Sequence, residues 1–136
     1  MNSRNFFAEL ERHNVREVLE TTLRGRPDDF DTLAQVSWTD LALGLRAEAL
    51  HAARQATNIL PVEKDSMSGT GILTNLAEVE AQAGETDEAI KTLHNLLSIP
   101  AGMEVSLARL RIDPVWDPIR KDPGFLPTTP RRNRAC

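Results

Sequence analysis

Apolar residues recur every three or four positions along most of the chain, a spacing that places them on one face of an α-helix. Glycine and proline interrupt this pattern and predict where the helices end. At the first interruption, Gly25 supplies a left-handed stop and Pro27 prevents the helix from resuming. The pattern predicts five helices, over residues 3–23, 30–43, 46–60, 72–83 and 87–98.

The segments outside these helices lack the apolar period. Residues 62–71 are polar and contain two glycines, so we expect a loop there. Further along, Asp113, Asp117 and Asp122 each precede a proline, and an aspartate cap followed by proline favours short helical turns. Residues 127–136 have no apolar period and are predicted to form a disordered tail.

The composition narrows the fold class to all-α. With 136 residues, of which 40% are hydrophobic, the chain is long enough for one domain with its own core. Only 4% of the residues are aromatic, so leucine and alanine must fill that core. A core rich in these residues and poor in β-branched ones favours closely packed helices over sheets.

Charge, cysteine content and hydropathy limit the possible partners and location. A net charge of −4 argues against nucleic acid as a partner, although Arg131, Arg132 and Arg134 make the C-terminal end locally basic. Cys136 is the single cysteine, which excludes an intramolecular disulfide and favours the cytoplasm. No stretch approaches the roughly 18 consecutive apolar residues of a membrane span.

Two segments of the chain repeat each other at a constant offset of 40 residues. Residues 41–50 and 81–90 each contain the end of a helix, a short turn and the start of a second helix, the sequence of a tight antiparallel helix pair. The glycine permits a positive φ at the helix end, and the alanine lets the two helices approach closely. The matching residues are Gly44 with Gly84, Glu48 with Glu88, Ala49 with Ala89, and Leu50 with Ile90.

The second of these copies resembles a tetratricopeptide repeat (TPR), whose motif spans residues 74–90 and continues through Leu93 and Leu96. In the first copy the resemblance is less complete, because Asp40 stands where the family usually places a large apolar residue. The offset of 40 exceeds the family period of about 34, and the extra residues fall in the polar segment 64–69. The residues that fit the motif are Asn75, Leu76, Gly84, Glu88, Ala89, Ile90 and Pro100 in the second copy, and Gly44, Glu48, Ala49 and Pro61 in the first.

A narrower resemblance concerns several shorter segments. Residues 59–65, 96–102 and 110–125, with Asp-Pro-Val-Trp-Asp-Pro at 113–118, are similar to the end of the repeat array in certain bacterial signalling proteins. Those proteins carry a nucleotide-cyclase, Ser/Thr-kinase, winged-helix or TolB-like region before the repeats. Residues 6–15 resemble the cytoplasmic lead-in of some of them. The resemblance implies a longer signalling protein whose middle, including any catalytic domain, is missing.

The TPR resemblance implies an architecture for the whole chain. It consists of an N-terminal helix, two antiparallel helix pairs in a short α-solenoid, and a segment that caps the array. Within the cap, Trp116 is expected to cover the last apolar face. The ranges are 1–25 for the N-terminal helix, 29–103 for the two pairs, 104–126 for the cap and 127–136 for the tail.

The TPR resemblance also implies a groove for a partner, because the first helix of each repeat lines the concave face in that family. The basic residues with which some members clamp a peptide carboxylate are absent, since Ala34 and Thr74 stand at those positions. Trp38 is either an aromatic anchor for the partner or packed against the N-terminal helix. The matching groove residues are Ala34, Trp38, Leu41 and Ala42 in the first copy, and Thr74, Glu78, Ala81 and Gln82 in the second.

We identify no catalytic residue, metal site or cofactor site in the sequence, and we predict that the protein is not an enzyme. The three histidines lie on different predicted helices and have no second ligand one turn away. The Ser-Gly-Thr-Gly at 68–71 lacks the lysine of a phosphate-binding loop. Glu78 and Glu80 point in different directions from one helix, so we expect solvated side chains rather than a pair of catalytic carboxylates.

These patterns predict a non-catalytic module that presents a helical groove to a protein or peptide partner. Two alternatives stay open. One is a regulatory fragment that acts on a nucleotide cyclase or a Ser/Thr kinase. The other is a self-associating remnant of a longer signalling protein, which folds as a homodimer and buries its own groove.

Overall fold

The structure, a computed structural model, describes residues 3–99 and 105–125 and is all-helical over them. The all-α prediction is therefore confirmed. Pro100 and the predicted tail over 127–136, which includes Cys136, lie outside the described residues. The elements are α1 (Ser3–Gly25), α2 (Phe30–Ala42), α3 (Arg46–Ile59), α4 (Ser66–Gln82), α5 (Thr86–Ser98) and α6 (Leu107–Ile112), followed by a 3₁₀ turn over Pro114–Trp116.

The internal repeat reappears as two like turns, one after α2 and one after α4. Gly44 and Gly84 have φ angles of +77° and +84°, and no other described residue has a positive φ. Both glycines therefore end a helix in the left-handed conformation, as predicted. In each turn an amide donates across the glycine to the carbonyl five positions earlier in the chain. These bonds join Leu45 to Asp40 at 2.8 Å and Glu85 to Glu80 at 2.9 Å.

The prediction that Gly25 forms a left-handed stop is wrong. Gly25 is the last residue of α1 and does not have a positive φ. The amide of the next residue, Arg26, still donates to the carbonyl of Thr22 at 2.9 Å. The helix ends there because Pro27 has no N–H with which to continue it.

The start of α4 also differs from the prediction, because the helix begins at Ser66, inside the expected loop over 62–71. Asp65 caps this helix, and its Oδ1 accepts from the amides of Met67 and Ser68 at 3.0 and 3.2 Å. The bond from the Ser68 amide, above all, lowers the pKa of the Asp65 carboxyl. A good cap therefore starts the helix before its apolar pattern begins.

Gly69 lies within α4 and allows close packing on the preceding turn, whereas Gly44 and Gly84 end helices. A Cβ at this position would lie 2.9 Å from the Cα of Val62, so a larger residue would push the preceding turn away from the helix. Most of the other residues in the first turns of α4 are small or polar, and Met67 is exposed. The apolar period that would have revealed these turns in the sequence is absent from them.

From α1 to α5, helices that follow one another in the chain pack against each other. The contacts are most extensive between α2 and α3 and between α4 and α5. The first helix, α1, contacts α2, while α4 also contacts α2, α3 and the 3₁₀ turn. Ala49 and Ala89 are completely buried near the starts of α3 and α5. Small residues at these points allow close approach of the helices, as the repeat pattern predicted.

The C-terminal segment closes the core that α4 and α5 form. Trp116 is buried in one cluster with Leu93 of α5 and with Ile119, so the burial expected for this tryptophan is confirmed. The sequence pattern did not predict α6, a helix of 6 residues. Its cap is Ser106, whose hydroxyl accepts from the amide of Arg109 at 3.2 Å.

Arg120 holds the turns of this segment together. Its guanidinium donates to the carbonyls of Leu110, Arg111 and Asp113 at 2.5, 2.7 and 2.8 Å. These acceptors lie at the end of α6 and at the entry to the 3₁₀ turn, where helical bonding stops. One charged side chain thus ties three backbone carbonyls to the rest of the cap.

An ion pair attaches α1 to α2. Asp40 is 1% exposed, and the Nε of Arg16 donates to its Oδ1 at 2.6 Å. Arg16 also contacts the Oε1 of Glu20 at 2.7 Å. Leu19 and Leu23 of α1 pack on the apolar cluster of α2 and α3. The aspartate that departs from the TPR pattern is therefore the point at which the N-terminal helix is attached.

Replacement of Arg16 by methionine leaves the Asp40 carboxylate buried without its partner. We expect Arg16→Met to lower the free energy of unfolding by about 2 kcal/mol, measured by urea denaturation with circular dichroism. The loss is smaller than for a fully buried pair because the Arg16 side chain is 29% exposed. Arg12→Met, in the same helix but at an exposed position, is the matched control and should change stability by less than about 0.5 kcal/mol.

The double variant Arg16→Met/Asp40→Leu tests the dependence of Asp40 on Arg16 by removing both charges. It should recover most of the lost stability, because an apolar pair then replaces the ionic one. A single variant as stable as the wild type would show that Asp40 does not depend on Arg16. A double variant no more stable than the single one would contradict the account as well.

Candidate functional site

Four of the eight predicted groove residues line one cleft. It has a volume of about 370 Å³ and lies where α2 and α4 end. The alignment of the two repeats thus identified residues that are distant in sequence but share a surface. The lining residues are Trp38, Leu41 and Ala42 of α2, Gln82 of α4, and Gly44 and Arg46 where the chain turns into α3.

The other four predicted residues lie at different depths. Thr74 and Ala81 are buried, which corrects their placement on the groove surface, since a partner cannot contact them directly. The Thr74 hydroxyl donates to the carbonyl of Thr70 at 2.7 Å, and Ala81 belongs to the core around α5. Ala34 and Glu78 are half-buried. None of these four residues lines the cleft.

Trp38 also lines a second cleft, of about 430 Å³, between α1 and α2. The sequence analysis left open that Trp38 packs against the N-terminal helix, but it named no residue of α1 at this cleft. The face of α1 that meets α2 is set by the long-range contact of Arg16 with Asp40, which no local pattern reveals. The lining residues are Ala8, Glu11, Arg12 and Val15 of α1, and Trp38, Thr39 and Ala42 of α2.

The indole of Trp38 is held in place by a hydrogen bond to α4. Its Nε1 donates to the Oδ1 of Asn75 at 2.7 Å, and the Nδ2 of Asn75 donates to the Ser37 hydroxyl at 3.4 Å. The Ser37 hydroxyl donates in turn to the carbonyl of Ala34 at 2.6 Å. The Trp38 side chain nevertheless stays 37% exposed. Its polar edge is therefore satisfied while part of the ring remains accessible to a ligand.

Gln82 connects the first cleft to the C-terminal segment. Its Nε2 donates to the carbonyl of Val115 at 2.8 Å, next to the buried Trp116. The rim of the cleft is thus fixed by the cap of the fold. A substitution of Gln82 would affect both the cleft and the attachment of the cap.

The rims of the two clefts carry charged side chains. Arg12 lies in the α1 cleft and Arg46 lies in the other, and neither guanidinium forms an ion pair with a described residue. The α1 cleft also contains the exposed carboxylate of Glu11. The clefts therefore combine one aromatic ring with charges of both signs that are available to a ligand.

Glu80 is buried, so the expectation that it is solvated is wrong. It is 2% exposed, and its Oε1 accepts from the hydroxyl of Thr92 at 2.7 Å. Burial raises the pKa of the Glu80 carboxyl, whereas the Thr92 bond and the charge of Arg54 act in the opposite direction. Glu80 follows Asp40 by the repeat offset of 40, so each repeat buries one acid at the same place.

The described residues contain no group of three or more histidine, cysteine, aspartate or glutamate side chains placed to hold a metal ion. His13, His51 and His94 are exposed on α1, α3 and α5, the three separate helices on which the sequence placed them. No helix within 3–99 or 105–125 is both long and apolar enough to cross a membrane.

No family model matches this chain, and neither curated proteins nor solved structures give a significant match. The similarity to TPR proteins and to bacterial signalling proteins therefore rests on the sequence motifs alone. The geometry of the clefts is the remaining basis for a functional conclusion.

Replacement of Glu80 by glutamine should stabilise the protein near neutral pH. A carboxyl whose pKa is raised on folding destabilises the folded state once it ionises, and this effect is absent below the pKa of the unfolded chain. The advantage of Glu80→Gln over the wild type should therefore grow as the pH rises from about 4 to about 7. Urea denaturation at a series of pH values measures it.

Glu63→Gln removes the same charge from an exposed position and is the matched control. It should show no such growth with pH. An advantage of Glu80→Gln that is constant or that shrinks as the pH rises would contradict the burial of an ionisable Glu80.

Proposed function

We propose that this chain is a non-catalytic protein interaction module that binds a peptide segment or helix of a partner protein in the Trp38 groove, the two clefts that share Trp38. The observation that carries the proposal is the exposure and fixed orientation of the Trp38 side chain. Its ring is partly exposed between two clefts and is held in one orientation by Asn75. Tryptophan often dominates binding energy at interfaces, and a side chain that is already fixed loses little entropy on binding.

We infer that α2 with α3, and α4 with α5, form antiparallel pairs of TPR type that stack as a short solenoid. The like turns at Gly44 and Gly84 support this pairing, and so do the contacts of α4 with both α2 and α3. Short connections between helices favour antiparallel packing. In this arrangement α1 and the C-terminal cap cover the ends that two repeats alone would leave exposed.

The alternative functions rest on the sequence resemblance to bacterial signalling proteins. A regulator of a nucleotide cyclase or a Ser/Thr kinase would use the same groove, so the identity of the partner separates that function from a general scaffold. A homodimer that buries its own groove would compete with peptide binding as the protein concentration rises. A cytoplasmic location likewise stays a prediction.

Replacement of Trp38 by alanine should weaken peptide binding by about 30-fold, the effect of losing about 2 kcal/mol at a central anchor. The peptides are selected on the wild-type protein from a random library displayed on phage. Fluorescence anisotropy then gives the Kd of each peptide for each variant. Asn75→Ala should weaken binding less, because the ring remains while the bond that orients it is lost.

Met67→Ala is the matched control, since Met67 is an exposed apolar residue outside both clefts. It should leave the Kd unchanged, and circular dichroism shows that each variant is folded. Peptides that bind Trp38→Ala as tightly as the wild type would contradict the proposal. A wild-type protein that selects no peptide would contradict it too.

A further inference from the structure

A third cleft, separate from the Trp38 groove, lies where α1, α2 and α3 meet. It has a volume of about 420 Å³, within the range of small-molecule sites, and it shares no lining residue with the other two clefts. Because α1 and α3 both pack on α2, these two helices form its walls and α2 forms its floor. We name it the acidic cleft, after the carboxylates of Glu20, Asp40 and Glu48 that line it.

The floor of the acidic cleft is apolar. Leu33 and Val36 of α2 are 3% and 7% exposed, and both line the cleft, as does the buried Ala52 of α3. Leu23 of α1 is half-buried and continues this surface on the opposite wall. An aliphatic chain in the cleft therefore finds apolar contacts on three helices.

The charged side chains of the cleft are mainly acidic. Three carboxylates, those of Glu20, Asp40 and Glu48, line it together with one guanidinium, that of Arg16. With His51 counted as neutral, the lining has an excess of two negative charges. A cleft lined mostly by one sign of charge attracts ligands of the opposite sign.

Two of these carboxylates contact Arg16, and the third does not. The Nε of Arg16 donates to Asp40 at 2.6 Å, and its Nη1 contacts Glu20 at 2.7 Å. Glu48 is exposed on α3 and forms no ion pair with a described residue. The hydrogen bond to Asp40, above all, raises the pKa of Arg16, and the charge of Glu48 adds to this rise. The Glu48 carboxylate is thus near the ion pair and available to a cation.

We propose that the acidic cleft binds an alkylammonium compound, a small molecule with a charged amine at the end of an aliphatic chain. The chain lies on the apolar floor around Leu33 and Val36, and the ammonium group pairs with Glu48 at the rim. An anion would meet three carboxylates, and a neutral compound would leave the excess negative charge unpaired. The charge of the cleft and its apolar floor together determine this class of ligand.

A ligand in the acidic cleft would contact α1, α2 and α3 together. It would stabilise the attachment of α1, because a compound that binds only the assembled helices favours the folded state. This inference does not rest on the proposed function, since the acidic cleft and the Trp38 groove have no lining residue in common.

Methyl NMR spectra of the full chain test the site during titration with n-hexylammonium chloride at about pH 8, where a primary amine is protonated. The methyl signals of Leu33 and Val36 should shift and saturate. Hexanol and sodium hexanoate have chains of the same length without the positive charge. The Kd of n-hexylammonium should be about fivefold lower than that of hexanol, and hexanoate should not bind.

Glu48→Gln tests the carboxylate that pairs with the amine. This variant should weaken the binding of n-hexylammonium by about threefold and leave that of hexanol unchanged, because the apolar floor is intact. Glu63→Gln removes the same charge from an exposed position outside the cleft and should change neither affinity. Circular dichroism shows that each variant is folded.

A wild-type chain without a saturable shift at Leu33 and Val36 overturns the proposal, and so do equal affinities for n-hexylammonium and hexanol. A Glu48→Gln variant that binds n-hexylammonium as tightly as the wild type would reject the pairing with Glu48. The peptide acetyl-Gly-Lys-Gly-amide separates the two sources of such an amine. If it binds more tightly than n-hexylammonium, the cleft takes a lysine side chain of a partner protein, and the small-molecule assignment is wrong.

Discussion

The buried carboxylate of Asp40 is the constraint on which the arrangement of this chain depends. A charge that is 1% exposed requires a partner, and Arg16 provides it from α1 at 2.6 Å. Asp40 is therefore a point at which α1 is attached to α2. The attachment directs Leu19 towards the core and leaves Phe7 exposed. It also gives the Trp38 groove its α1 wall.

The buried acids of the two repeats, Asp40 and Glu80, have partners in different parts of the chain. Asp40 is paired outside its own repeat, whereas Glu80 accepts a hydrogen bond from Thr92 in the helix that follows it. The second repeat thus satisfies its acid internally. The far side of the second repeat is closed by the apolar cluster around Trp116. Gln82 is bonded to the residue before this tryptophan, because its Nε2 donates to the carbonyl of Val115. The Arg16–Asp40 ion pair and the packing of Leu19 and Leu23 attach α1 at one end, whereas apolar packing around Trp116 closes the other.

Local signals in the sequence predicted five of the six helices and the turns at Gly44 and Gly84, but they missed α6. Contacts between distant segments could not be predicted from them. The helix ends at Gly44 and Gly84 follow from the conformation that only glycine adopts readily, and the structure confirms both. The start of α4 was missed because a glycine in a polar segment predicts a loop, whereas Gly69 is needed in the helix for close packing on Val62. Trp38 could be assigned to a cleft by aligning the repeats. Its bond to Asn75 and the α1 residues that line the second cleft could not be predicted, because both depend on how separate helices meet in space.

Native-state hydrogen exchange of the wild type and of Arg16→Met tests most directly whether the buried pair fixes α1 on the repeats. In the wild type, the amides of α1 from Arg16 to Gly25 should open with the same free energy as those of α2, as one cooperative unit. In Arg16→Met the α1 amides should exchange earlier, while those of α4 and α5 keep their protection. Wild-type α1 amides that exchange independently of α2 would contradict the account.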